Sequence, residues 1–422
     1  MSPSIELINT GSELLLGRVL NTHQQWICQQ LAARGYEVAR QVCVADDGPS
    51  IQAAAREALG RADIVLTTGG LGPTSDDITR DLIAEMLGRP LALDASVVAD
   101  ITARFARLKR PIPRSMNVQA MVPAGARVLR NLHGTAPGLA IEVNPNHLRA
   151  DKRPSWLILL PGPPRELRPM FTDAVLPLLL KEVPRTQAFV SRTLHTTGMG
   201  ESLVEEKIAG PLKDLVAAGL ELGYCARIGE VDVRLVARGE KAEEIVRQAE
   251  EIARKALGKL IFGTEADTLE SIIVSLLTQQ GKTLSLAESC TGGLIAHRVT
   301  NVPGASAVLM CGLVTYSNEA KKNFLGVREE TLSEHGAVSA PVAGQMAEGA
   351  RHRNGTDYAL SVTGIAGPGG GTEQKPVGTV FMALAGAGET VVEERFNPFD
   401  RETFKFVTSQ QALDLLRRQL SS

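Results

Sequence analysis

The run Ile64-Val65-Leu66-Thr67-Thr68-Gly69-Gly70-Leu71-Gly72-Pro73-Thr74-Ser75-Asp76-Asp77 decides the fold. Five apolar or β-branched residues ahead of a glycine turn read as a short buried strand. The hydroxyl-rich, acidic segment behind the turn reads as a helix start that Thr74 or Ser75 can cap. A strand feeding a helix through a glycine turn is the unit of a parallel sheet covered by helices. The same pattern surrounds this stretch: strands are expected over 5–10, 37–44 and 156–160, and helices over 24–34, stopped by Gly35, and 51–59. It returns near the other end, with strands over 283–287, 308–316, 359–363 and 377–385 and helices over 342–351 and 404–420. Between these parts, strands over 188–196, 220–227 and 231–238 with helices over 201–208 and 242–257 make a small α+β module. The expected domains are 1–180, 181–264 and 265–422.

Composition narrows the function. A chain of 422 residues is long enough for two or three cores, and 44% hydrophobic content supplies them. A net charge of −2 removes the basic footprint of a nucleic-acid binder, and 4% aromatics remove base-stacking platforms. Cys28, Cys43, Cys225, Cys290 and Cys311 are scattered without CxxC spacing, so no disulfide framework or zinc site is indicated. The first residues lack a basic and apolar leader, and no apolar run approaches the ~18 residues of a spanning helix. A cytoplasmic protein with no membrane partner is expected.

Three loops follow strand ends in the first part: Thr10-Gly11-Ser12-Glu13, with Gly17 and Asn21 behind it; the Gly69-Gly70-Leu71-Gly72 turn with Thr74; and Leu160-Pro161-Gly162-Pro163-Pro164-Arg165-Glu166. Ligands of open parallel sheets bind at the carboxyl ends of strands, where such loops meet. Glycines let backbone N–H groups approach an anion, while Glu13, Asp76, Asp77 and Glu166 put carboxylates beside it. Like charges coexist there only with a bridging divalent cation.

In the last part, the strand over 283–287 delivers Glu288-Ser289-Cys290-Thr291-Gly292-Gly293 to a helix start whose N–H groups suit an oxyanion or phosphate. Ser289 stands where a nucleophile can meet them. Thr315-Tyr316-Ser317-Asn318-Glu319-Ala320-Lys321 brings a phenol and an amine that can converge on Ser289, and a desolvated lysine can activate a hydroxyl. Ser361-Val362-Thr363-Gly364-Ile365-Ala366-Gly367-Pro368-Gly369-Gly370-Gly371-Thr372 is a strand running into a loop of free N–H donors, a cradle for phosphate. Taken singly, Ser289 reads equally as a helix cap, Lys321 as a solvated surface lysine, Cys290 as a small buried residue and His335 as a helix end. A short-chain dehydrogenase is set aside. Tyr316 and Lys321 stand five apart rather than four, and no Gly-x-Gly-x-x-Gly follows the first strand.

Taken together, these motifs resemble the CinA family, the competence/damage-inducible proteins. The first three loops, continued by Asn117, Gln119, Ala120, Pro123 and Gly134-Thr135-Ala136-Pro137-Gly138, resemble its molybdopterin-binding-like domain. The stretches around Ser289, Lys321, His335-Gly336-Ala337-Val338-Ser339 and Gly364 to Thr379 resemble its carboxy-terminal domain, which also occurs alone as the PncC-type nicotinamide-nucleotide amidohydrolase. The resemblance implies an α/β chain with a three-layer αβα first domain, a KH-like α+β middle domain and an α/β last domain. It implies ADP-ribose pyrophosphatase activity in the first, with a divalent metal (Mg, Mn, Co or Ni) and potassium stimulation. Glu13, Asp46 (the counterpart in Val44-Ala45-Asp46-Asp47), Asp76, Asp77 and Glu166 are the metal candidates, and Asn21, Gly69, Gly70, Gly72, Thr74 and Gly162 the substrate contacts. For the last domain it implies cofactor-free hydrolysis of nicotinamide mononucleotide to nicotinic acid mononucleotide and ammonia. There Ser289, Tyr316, Lys321 and Thr363 are the catalytic candidates, and Thr291, Gly292, Gly293, Gly364, Gly367, Gly369, Gly370 and Gly371 the binding ones. A homodimer is implied as well. The alternative is a non-catalytic nucleotide- or molybdopterin-binding interaction protein tied to competence or DNA damage.

Overall fold

The computed structural model describes residues 3–185 and 187–421. The chain forms two compact units, Met1–Phe189 and Val190–Ser422. In the first, a six-stranded sheet runs Val38–Val44, Ile5–Thr10, Ile64–Thr68, Ser155–Leu160, Gly138–Val143, Arg127–Leu129. The first four strands are parallel, and the last two run antiparallel to their neighbours. Every residue of Ile5–Thr10, Ile64–Thr68 and Ser155–Leu160 is buried, as expected of parallel strands covered on both faces. Their alternation splits the core. Ile5, Leu7, Ile64, Leu66, Ile158 and Leu160 pack with Ile27, Leu31 and Phe171 on one side. Ile8, Val65, Leu157 and Leu159 pack with Leu59 and Ile83 on the other. This is the expected three-layer αβα arrangement on a mostly parallel sheet, in which only Gly138–Val143 runs against the others. The added strands are short or follow turns, so periodicity does not reveal them.

The second unit contains two sheets. One orders Glu221–Arg227, Glu230–Arg238, Phe189–Thr197 and Ile261–Thr264. The helices Glu201–Ala217 and Ala242–Leu257 cover it, burying Val204, Ile208, Leu212 and Val246 against Leu194, Val233 and Leu235. The first of these helices runs well past the expected end at 208. Gly210-Pro211 reads as a stop, but Val204, Ile208 and Leu212 bury together at helical spacing and carry the helix through.

The other sheet orders Leu309–Val314, Leu284–Glu288, Tyr358–Gly364, Thr379–Ala385 and Val391–Phe396, three parallel strands followed by two antiparallel ones. Leu269–Gln280 and Arg401–Leu420 pack on one face over Leu284, Leu286, Val362 and Met382, and Phe262 joins this core. Ala340–Asn354 covers the other face with Val342, Met346 and Ala350. No helix among the described residues is long and apolar enough to cross a membrane.

Candidate active sites

Ser289 leaves Leu284–Glu288, the second strand of the five-stranded sheet, where Glu288 pairs with Val362 and the Ser289 N–H donates to the Val362 carbonyl at 3.0 Å. The chain then reverses through Gly292 and Gly293, whose φ values of 63° and 94° suit residues without a Cβ. Lys321 lies on the helix Asn318–Leu325, capped by Ser317, which accepts from the Ala320 N–H at 3.1 Å. This helix drives the lysine inward until it is 1% exposed, not solvated as it reads in isolation. Its Nζ donates to Ser289 Oγ at 3.1 Å, the Thr315 carbonyl at 3.0 Å and the Tyr316 carbonyl at 3.2 Å. Burial pushes its pKa below the ordinary lysine value, because no carboxylate stands beside it to favour the ammonium. A hydroxyl bonded to such an amine has a base at hand. Burial pushes the Cys290 thiol up to about 12, so the neighbouring sulfur stays protonated and inert.

Several expected roles change. The helix start behind Ser289 is occupied by the chain itself. Buried Glu288 accepts from the Gly293 and Ile295 N–H groups at 3.0 Å each and from Ala296 at 2.8 Å, and the Gly292 N–H donates to the Ser289 carbonyl at 3.1 Å. These amides are therefore engaged and do not form an anion receptor. The Tyr316 side chain is exposed, and its phenol oxygen accepts from Arg401 Nη2 at 3.0 Å; what Tyr316 gives Lys321 is its carbonyl. Thr363 is buried, and its hydroxyl donates to the Ala337 carbonyl at 2.8 Å, a bond that joins two parts of the fold. Beyond Gly364, the Gly367 carbonyl accepts from Arg401 Nη1 at 2.8 Å, while Gly369, Gly370 and Gly371 are exposed. Thr291 is fully buried, and its hydroxyl has no partner among the described residues. Sequence reasoning missed Glu288 and Arg401. The first lacks the spacing of a helix cap, and the second lies far away along the chain.

In the first unit, the three strand-end loops meet as expected. Parallel pairing sets Ile5–Thr10, Ile64–Thr68 and Ser155–Leu160 side by side, and the Gly69 N–H donates to the Leu160 carbonyl at 2.9 Å. A cleft of about 370 Å³ opens above them, lined by Glu13, Asp46, Asp76, Asp77 and Glu166 together with Gly69, Gly70, Gly72 and Gly162. Glycine is required at Gly70 because a Cβ there would overlap the Thr79 hydroxyl at a φ of 67°. Thr74 does not cap a helix. Its N–H and hydroxyl both donate to Asp77, and the helix Thr79–Met86 begins behind Ile78 without a side-chain cap. Asp46 accepts from the Ser12 N–H at 2.8 Å, and Glu166 accepts from Asn131 Nδ2 at 2.7 Å. Asn131 also accepts from the Gly134 N–H at 2.7 Å, which fixes the loop around Glu166. Asn21 caps the helix Thr22–Ala32 and does not line the cleft; His23, two residues on, contacts the Gly162 carbonyl instead. Among the described residues no three carboxylates, histidines or cysteines converge to hold a metal ion.

Comparison with known proteins finds three successive matches along the chain. Residues 6–181 match the profile of the probable molybdopterin binding domain, 191–263 the damage-inducible protein CinA KH domain, and 266–420 the CinA C-terminal domain. The chain is 45% identical over 430 residues to a putative competence-damage inducible protein of Symbiobacterium thermophilum, covering 98% of each. It is 46% identical over 414 residues to a CinA-like protein of Akkermansia muciniphila, covering 97% of this chain and 95% of that one. Among solved structures, the competence/damage inducible protein CihA from Agrobacterium tumefaciens is 45% identical, with a TM-score of 0.36, and covers 36% of this chain and 94% of its own. With identity of this order sustained from end to end, the chain belongs to the CinA family.

Proposed function

We propose that the protein is a bifunctional hydrolase of pyridine nucleotides. The carboxy-terminal site deamidates nicotinamide mononucleotide, and the amino-terminal cleft splits ADP-ribose into AMP and ribose 5-phosphate. The observation that carries the first activity is the buried Lys321 amine 3.1 Å from Ser289 Oγ. In its neutral form Lys321 takes the hydroxyl proton as Ser289 Oγ bonds to the carboxamide carbon. The same proton passes to the amide nitrogen, the C–N bond breaks, and ammonia leaves an acyl ester on Ser289. Water then attacks this ester while Lys321 accepts its proton and returns it to Ser289, releasing nicotinic acid mononucleotide. Ammonia release from nicotinamide mononucleotide by the full-length chain tests this, with Ser289→Ala and Lys321→Ala each expected to abolish it. Near-normal turnover in Ser289→Ala sinks the assignment.

For the cleft, the donor set is all oxygen, which suits a hard divalent cation such as Mg²⁺ or Mn²⁺. Glu13, Asp46, Asp76, Asp77 and Glu166, which line the cleft, are the residues that would hold it. Once bound, such an ion polarises the diphosphate and acidifies an attacking water. The chain's own part is to orient. Gly69, Gly70 and Gly72 bring backbone against the phosphates, and Asn131 keeps Glu166 facing the cleft. AMP production from ADP-ribose, lost on chelation and in Asp77→Asn, tests this half; potassium dependence is read in the same assay. On this reading the partners are the two nucleotides, the location is the cytoplasm and the assembly is a homodimer, whose mass light scattering measures.

A further inference from the structure

A phosphorylated substrate in the Ser289 site needs a cation, because a phosphate dianion is strongly disfavoured away from water without one. The sequence suggests that the helix start behind Ser289 supplies the positive potential. Glu288 offsets that potential by taking the Gly293, Ile295 and Ala296 N–H groups with its own carboxylate. Lys321 is also engaged, since its Nζ is within hydrogen-bond distance of Ser289 Oγ and of the carbonyls of Thr315 and Tyr316. Arg401 is tied to the Gly367 carbonyl and the Tyr316 phenol, which makes it a strut between two loops of the site.

One turn further along the helix Arg401–Leu420 stands Lys405. It is half-buried, and its Nζ lies 3.7 Å from where a Cβ on Gly292 would sit, directly over the Ser289–Gly292 turn. Its ammonium has no acceptor among the described residues. The acids around it serve elsewhere: Asp400 caps the helix through the Glu402 and Thr403 N–H groups, and Glu288 caps the other helix. A half-buried, uncompensated ammonium over the turn that follows Ser289 is a place for a substrate anion. Gly292, bearing no side chain, leaves the space beneath the ammonium open.

We propose that Lys405 binds the phosphomonoester of the substrate and thereby sets the preference of this site for a nucleotide over the corresponding nucleoside. The proposal rests on the amidohydrolase reading given above, and its test separates the two. Ammonia release and equilibrium binding are measured on the full chain with nicotinamide mononucleotide and nicotinamide riboside, in the wild type, Lys405→Ala and Lys405→Arg. Losing one charge-assisted contact predicts that the preference for the nucleotide, as the ratio of kcat/KM values, falls about tenfold or more in Lys405→Ala. The fall is expected through KM, with most of the preference regained in Lys405→Arg. Ammonia release with a preference unchanged in Lys405→Ala overturns the role of Lys405 and leaves the amidohydrolase standing. Lys405-dependent binding of the nucleotide with no ammonia release does the reverse. If the wild type neither binds nor hydrolyses the nucleotide, both fall.

Discussion

Replacing Glu288 with alanine would remove one carboxylate and orphan three backbone amides. Oε2 accepts from Gly293 and Ile295, and Oε1 from Ala296, at the buried start of the helix Leu294–Thr300. The carboxylate also faces the positive end of that helix. Each buried N–H left without an acceptor costs about 1–3 kcal/mol, so local opening of the 289–300 segment should become easier by about 3–6 kcal/mol once water relieves part of the loss. Glu288→Gln separates geometry from charge. Its carbonyl oxygen still accepts two amides, but its NH₂ group faces the third, and about half the penalty, ~1.5–3 kcal/mol, is expected. Amide hydrogen exchange resolves this by segment. At about 1.4 kcal/mol per factor of ten, protection over 289–300 should fall by roughly 10²–10⁴ in the alanine variant and roughly 10–10² in the glutamine variant. Ammonia release should fall in the same order, because Ser289 rides on the segment that Glu288 holds. An alanine variant whose 289–300 amides exchange at the wild-type rate would refute the capping argument, as would a loss spread evenly over the chain.

Other expectations follow from single contacts. Because burial lowers the Lys321 pKa, amide hydrolysis should rise with pH through a midpoint below the ordinary lysine value of 10.5; the same limb surviving in Lys321→Ala would assign it to another group. Tyr316→Phe removes only the bond between an exposed phenol and Arg401, so kcat should drop less than about tenfold, and a loss as deep as that of Lys321→Ala would return the phenol to the chemistry. Gly70→Ala forces a Cβ onto the Thr79 hydroxyl at positive φ and should lower stability by about 1–3 kcal/mol, read as a shifted urea midpoint for the first unit; an unchanged midpoint rejects the requirement. Burial pushes His195 down, yet the Asp232 carboxylate at 2.6 Å and the Glu265 carbonyl at 2.8 Å outweigh it, leaving its pKa above 6.5. Its contribution is then complete below pH 6.5 and is lost as pH rises through the folded value. The stability gap between wild type and His195→Asn should narrow across that window, and a gap constant with pH counts against it.

Much of this was legible because it is local. The strand Ile64–Thr68 and the helix Ala242–Leu257 fall where the sequence patterns put them, since burial period and flanking glycines are written into neighbouring residues. The three loops of the cleft could be paired in advance because parallel strands bring their carboxyl ends together. What was not legible depends on chain return. Glu288 caps amides five to eight residues ahead, a spacing that no local capping motif predicts. Arg401 reaches Tyr316 from 85 residues away. Thr363 looked like a ligand group beside glycines, but only the folded chain shows the Ala337 carbonyl waiting for its hydroxyl. The short strands Leu91–Leu93, Met121–Pro123 and Arg127–Leu129 are too brief to carry a period, and pairing alone defines them.

Phe262 bears on how the carboxy-terminal third could be cut free. It stands on Ile261–Thr264, the last strand of the small four-stranded sheet, yet its ring belongs to the core of Leu269, Ile273 and Leu284. Arg417 donates to the backbone of the same stretch, to the Lys259 carbonyl at 2.7 Å and the Ile261 carbonyl at 3.4 Å. A fragment starting at residue 265 would lose a buried aromatic plug and leave the Arg417 guanidinium with Asp414 but without its two carbonyls. Truncations of phenylalanine in cores cost about 3–5 kcal/mol, a large share of what holds a domain of this size together. An excision that retains residues 259–264 as an amino-terminal tail carries the plug and the clasp with it. The seam between the two modules thus runs one strand earlier in three dimensions than in the order of the sequence.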